Sequence, residues 1–304
     1  MSFLTLGADP VGHVINHKFI TDGAMWLWSA HMSNLILAGV ISVGLLWWAS
    51  KHIGTGPASE GTDRFITKRP FAHMIEVICT YLRDDTVRPL LGARTDKFMP
   101  YLWTLFFFIL VNNLLGLIPI LDALHLMNPE WRKSHSAPLG GTATQNIYVT
   151  ACLALVSAVV INFAGVKELG VGGYLKHLTA ETPWYLWPLM VPIEIVGTII
   201  KPVALAIRLF ANMTAGHILM AVLFGFAGLG ISMVAGESKG GPIIGGGVAV
   251  VSTIAAVAIY FLELFVAFLQ AFVFMFLTTV FISQLSHHGE HEHREGHDHE
   301  HAHA

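Results

Sequence analysis

The chain has 304 residues, 54% of them hydrophobic and only 12% charged, with a formal net charge of −3 at pH 7. Soluble domains carry about 25% charged residues, and the deficit here coincides with long apolar runs, which membrane embedding explains. The balanced charge offers no strongly basic face, so no nucleic-acid partner is expected; Cys79 and Cys152, far apart in the chain, support neither a zinc site nor a disulfide framework.

Residues Met1 to Met25 include Asp9, His13, His17, Lys18 and Asp22, so no unbroken apolar stretch suits a cleavable leader. A bilayer core about 30 Å thick is crossed by roughly 20 apolar helical residues. Five regions meet that requirement: residues 27–49, 101–121, 146–166, 184–235 and 243–285. The predicted fold class is therefore an all-α membrane protein, with residues 1–286 forming a single membrane domain. After the first segment, Phe71–Leu82 reads as an amphipathic helix lying at the membrane surface. The last two regions exceed one perpendicular span. They are read as long, steeply tilted helices with candidate kinks at Pro188, Pro192 and Pro202, a hairpin of two shorter spans being the alternative for each. Residues 287–304 hold eight of the seventeen histidines. Such a tract can bind transition metals; the blander expectation, adopted here, is a disordered, solvated tail with no defined metal site.

Lys51, Arg64, Lys68, Arg69, Arg83, Arg88, Arg94 and Lys97 crowd the loop between the first two segments. Later loops have only Arg132 and Lys133, then Lys167 and Lys176, then Lys239. The excess of positive charge places the first loop in the cytoplasm, the N-terminus outside and the C-terminus inside.

Ionisable groups within a bilayer are costly, so each is a functional candidate. The fourth region carries Glu194, Lys201, Arg208 and His217, and the fifth carries Glu263 together with Gln270. On a helix advancing about 100° per residue, Gly197, Lys201, Ala204, Arg208, Ala211 and Ala215 form one narrow stripe. Small residues let another helix approach closely in a membrane. A guanidinium cannot release its proton there, so Arg208 is a fixed charge whose natural partner is a carboxylate on that neighbour. His217 lies about half a turn around the axis, and Glu263 and Gln270 share a face of the last helix. Both His217 and Glu263 can take and release protons. A titratable pair beyond a fixed cation implies a proton path ending at a charged contact. Three other readings stand beside it. A solute transporter with Arg208 holding an anion would call for an internal repeat; a structural scaffold would not need these three ionisable groups together; a metal-ion transporter would call for ligand spacing.

The segment Lys201–His217, KPVALAIRLFANMTAGH, resembles the signature of subunit a of F-type ATP synthases. Leu269–Thr278, LQAFVFMFLT, is similar to that family's last helix, and Asn112–Pro119, NNLLGLIP, to its second span. The resemblance implies a stator packed by its last two helices against a rotating ring of c subunits, each with one buried carboxylate. It also implies b-type peripheral stalk subunits as partners, the rest of the synthase beyond them, and a place in a bacterial inner membrane or its equivalent. No cofactor is implied, and no phosphate-binding loop occurs in the chain, so nucleotide chemistry belongs to other subunits. Arg208 matches the family's essential arginine, Asn212 its neighbouring asparagine, and Gln270 the glutamine expected close by. Some relatives have glutamate where His217 stands and histidine where Glu263 stands, so the acid and the imidazole are exchanged here. Glu194 matches an acidic position assigned to the cytoplasmic half-channel. Some relatives carry aspartate at the position of Gly116, so the route from outside is expected to use other groups, Asn113 or Asn146.

Overall fold

The computed structural model describes residues 18–22, 25–53, 67, 69–118, 143–178, 184–236 and 241–301. An antiparallel hairpin of β1 (Lys18–Asp22) and β2 (Met25–Ser29) opens the described chain, with Lys18 opposite Ser29 and Asp22 opposite Met25. It takes residues 27–29 from the first embedded segment and is the one exception to an otherwise helical described chain. Trp26 and Trp28, good strand formers, account for it.

Helix α1 (Ala30–His52) follows, then α2 (Pro70–Tyr81). A π-helical turn (Leu82–Val87), the short α3 (Arg88–Leu91) and a 3-10 turn (Gly92–Arg94) connect α2 to α4 (Thr95–Leu117). Gly92 has φ 54°, a left-handed conformation that glycine adopts without strain. A 3-10 turn (Ala143–Gln145) precedes α5 (Ile147–Leu178), and the chain closes with α6 (Trp187–Val234) and α7 (Pro242–His301). His31–His52, Pro70–Leu117, Trp187–Val234 and Pro242–Ser283 are each long and apolar enough to cross a membrane, and Ile147–Phe163 is a shorter apolar stretch. Large side chains such as Phe163, Phe224, Ile243 and Phe265 stand exposed on these helices, as lipid-facing residues do.

Each of the last two regions is one continuous helix, not a hairpin of two. The 48 residues of α6 run unbroken through Pro192 and Pro202. At 1.5 Å per residue that is about 70 Å, more than twice the ~30 Å core, so the helix cannot stand upright within it. Helix α7 continues to His301, through the tail that composition alone predicted to be disordered. No proline lies between Pro242 and His301 to stop it.

Hydroxyl and amide side chains within these helices mostly fold back on their own backbone. Thr104, Asn112, Asn162, Thr253, Thr278 and Thr279 each donate to the carbonyl four residues earlier. This satisfies polar atoms where water is scarce.

The chain forms two compact units: Met1–Ile41, Phe108–Thr150 and Ile207–Ala271 make one; Ser42–Phe107, Ala151–Ala206 and Phe272–Ala304 make the other. In the second unit, α2 buries Ala72 and Ile75 and exposes the large apolar side chains of Phe71, Met74 and Val77 beside Tyr81. Its Phe71 ring meets Trp48 at 5.7 Å, and Trp103 Nε1 donates to the Cys79 carbonyl at 3.2 Å. Tyr101 donates to Ser157 at 3.1 Å, and Ser283 to the Leu90 carbonyl at 2.8 Å.

In the first unit, Leu114 and Leu117 of α4 meet Met213 of α6 and Ala267 of α7. Helices α6 and α7 touch backbone to backbone near their connecting turn. A Cβ on Gly230 would fall 2.5 Å from the Ala249 nitrogen and 2.7 Å from the Gly245 oxygen. Gly236 and Gly241, at φ 78° and 76°, end α6 and open α7. A side chain cannot be inserted between two backbones without moving a helix. Gly230→Val should therefore destabilise the chain by about 1–3 kcal/mol, read as a lower melting temperature in detergent. Gly247→Val, where a Cβ meets nothing within 4 Å, should leave melting unchanged.

Candidate functional site

The stripe on α6 faces outward. Ala204, Arg208, Ala211 and Ala215 are exposed and Gly197 and Lys201 partly so, while Leu205, Ala206, Leu209 and Met213 are buried. Among the described residues none hydrogen-bonds or ion-pairs with the Arg208 guanidinium. Lys201, the other cation of the stripe, holds its Nζ 5.1 Å from the Phe281 ring centre, a cation–π contact. Arg208 is thus a permanent charge on an exposed face of small residues, without a hydrogen-bond or ion-pair partner among the described residues.

The acid and the imidazole come to the same level of the first unit. A Cβ built on Gly216 would overlap the Glu263 carboxylate. The carboxylate therefore rests against the α6 backbone one residue before the half-buried His217.

Seven residues along α7, Gln270 is buried, and its Nε2 finds no partner among the described residues. Between the two, Asn113 of α4 is 0% exposed and donates its Nδ2 to the Ala267 carbonyl at 3.3 Å. Its Oδ1 accepts from Thr144 at 3.1 Å. Asn112 Oδ1 and Thr214 Oγ1 are likewise buried without a partner among the described residues. Unpartnered buried polar atoms are rare in folded proteins and mark places where water or a further group is bound. Here they gather in the unit that holds His217, Glu263 and Gln270.

The two asparagines proposed for the outer route part company. Asn146 uses its Oδ1 to accept the Tyr148 N–H at 3.0 Å, capping α5. Asn113 lies inside the unit against α7. Asn212, one turn beyond Arg208, is half-buried. Glu194 lies on α6, but its side chain falls outside the described residues. Sequence reasoning missed Gly216 and Thr144. The first sits inside the quoted arginine signature, where the absence of a side chain draws no notice; the second sits in a short turn without periodicity.

The family described as ATP synthase A chain matches residues 32–283. The chain is 38% identical over 271 residues to ATP synthase subunit a 2 of Chlorobaculum tepidum, covering 89% of this chain and 64% of that one. It is 36% identical over 299 residues to ATP synthase subunit a 2 of Prosthecochloris aestuarii, covering 94% and 83%. To ATP synthase subunit a of Anaeromyxobacter dehalogenans it is 35% identical over 302 residues, covering 93% and 70%.

The overlap at Gly216 involves the far end of a flexible side chain, so Gly216→Ala should displace the Glu263 carboxylate at little cost in folding. Infrared difference spectra should show the carboxyl band moved, with Glu263→Gln identifying it, while the melting temperature stays near that of the native chain.

Proposed function

The chain belongs to the ATP synthase A chain family, the subunit a of F-type ATP synthases, and from that premise we propose that it is the proton-carrying stator facing the ring of c subunits. The observation that carries this reading is Arg208, a fixed cation on an exposed small-residue face with no partner among the described residues. A ring carboxylate fits that face in both size and charge.

A proton enters from outside along the polar seam of the first unit, past Asn113 and Gln270, and reaches Glu263 and His217. From there it neutralises a ring carboxylate. A neutral carboxyl can turn out into lipid, whereas an ionised one is held back by the cost of burying charge. When a protonated site arrives from the far side, Arg208 favours its ionised form, and the proton is released. It leaves through a cytoplasmic half-channel near Glu194. Asn212, a turn away on α6, lies close enough along the chain to shape the same contact. The positive charge of Arg208 also opposes direct proton passage between the two half-channels. Each charge crossing 100 mV releases about 2.3 kcal/mol, which rotation passes to the subunits that bind nucleotide. The chain itself supplies no catalytic group for that chemistry.

The basic loop supports an N-terminus outside and a C-terminus in the cytoplasm of a bacterial inner membrane. The same reading makes b-type stalk subunits the anchors that keep this chain from turning with the ring.

Two measurements test the reading. In vesicles holding the assembled complex, Arg208→Ala should abolish ATP-driven acidification while assembly is kept; coupled pumping at the native rate would remove the fixed-charge mechanism. For orientation, in a chain with Cys79 and Cys152 replaced, Lys51→Cys should react with an impermeant thiol reagent only from the cytoplasmic side. Gly241→Cys should react only from outside, and the reverse pattern would invert the topology.

A further inference from the structure

We propose that Thr144 is a positioning residue for the outer half of the proton route, setting the orientation of the Asn113 amide against α7. The inference rests on the stator reading above and adds to it a residue that takes no proton itself.

Thr144 sits in the 3-10 turn Ala143–Gln145, with Ala143 and Thr144 both buried and Thr144 at 0% exposed. The turn is tied to the start of α5. The Asn146 N–H donates to the Ala143 carbonyl at 3.1 Å, and the Asn146 carbonyl accepts from Val149 and Thr150 at 3.0 and 3.1 Å. Its side chain caps the same helix. Thr144 therefore reaches Asn113 from a rigid mount.

The Asn113 amide has two ends of nearly equal shape and opposite hydrogen-bonding sense. With Nδ2 toward Ala267 it donates to a carbonyl; reversed, it would set oxygen against oxygen in a buried site. The acceptor-only Ala267 carbonyl thus selects which end faces α7, and the Thr144 hydroxyl, donating to Oδ1, holds the other end of the amide in place. Nδ2 carries two N–H groups, and the Ala267 carbonyl takes one. Ala267 follows Glu263 by four residues and precedes Gln270 by three. Nδ2 is therefore seated at the turn of α7 that separates them, with a second N–H to give. Asn113 is neutral at every relevant pH, so it cannot relay charge by titrating. Held in this orientation, it offers a fixed donor to water or a carboxyl oxygen at a level where Gly116 supplies no acid.

The test uses the assembled complex in vesicles, with ATP-driven acidification and ATP synthesis as readouts. Thr144→Val keeps the shape and removes the donor, and should slow proton-coupled turnover roughly threefold to tenfold, the range for a lost hydrogen bond. Thr144→Ser keeps the donor and should restore the rate to within about twofold. Because Thr144 acts through Asn113, the double variant Thr144→Val, Asn113→Ala should be no slower than Asn113→Ala alone. If Thr144→Val fails to assemble, Thr144→Ala removes the same donor with less bulk and takes its place in the cycle. A native rate without the donor, no rescue by serine, or multiplying effects in the double variant would each overturn the proposal. Those results beside an inactive Arg208→Ala would leave the stator reading standing. Native pumping by Arg208→Ala would remove that reading instead.

Discussion

A guanidinium holds its proton at any pH a cell meets, and hydrocarbon offers it neither water nor counter-ions. Arg208 lies in a helix long and apolar enough to span a membrane, on an exposed face with no partner among the described residues. Under the stator reading proposed above, the charge is answered by a helix of another subunit, and the alanines on either side of it make room for that helix. Much else in the first unit follows from this constraint. Glu263 sits off that face with its carboxylate against Gly216, beside His217, which in the proposed mechanism lets a proton reach the contact without meeting the cation first.

Helix α7 supplies the other half of the arrangement. Most of the hydroxyls and amides in these helices bond back to their own backbone and are chemically quiet. Asn113, Thr214 and Gln270 behave differently: the first bridges to other elements, and the other two leave a buried atom unpartnered among the described residues. Where polar residues are common in membrane helices, such exceptions are a better guide to a proton route than the count of polar side chains.

Much of this was legible in the sequence. Apolar length located the spanning regions, and the spacing from Gly197 to Ala215 put Arg208 on a small-residue face, because both signals are local and periodic. The continuity of α6 through Pro192 and Pro202 was not decidable. A proline weakens a helix without saying whether packing holds it together. The N-terminal hairpin was hidden because two tryptophans at its centre read equally well as the start of a membrane segment. Gly216, Thr144 and the seating of Asn113 against α7 depend on pairings across 31 residues or more of chain, or on the lack of a side chain. Neither leaves a periodic trace.

The glycine crossing of α6 and α7 also sets a vernier for the site. From Gly230 to Gly216 is fourteen residues back along α6, and from Ala249 to Glu263 is fourteen residues on along α7. Two antiparallel helices rising 1.5 Å per residue thus keep level from the crossing to the acid, and the register set beside the turn is delivered intact at His217. One residue gained or lost on α7 between Ala249 and Glu263 would slide the acid by about 1.5 Å and swing it about 100° around α7. A contact between two backbones at Gly230 is thus read again, four helical turns away, as the seating of the Glu263 carboxylate against Gly216.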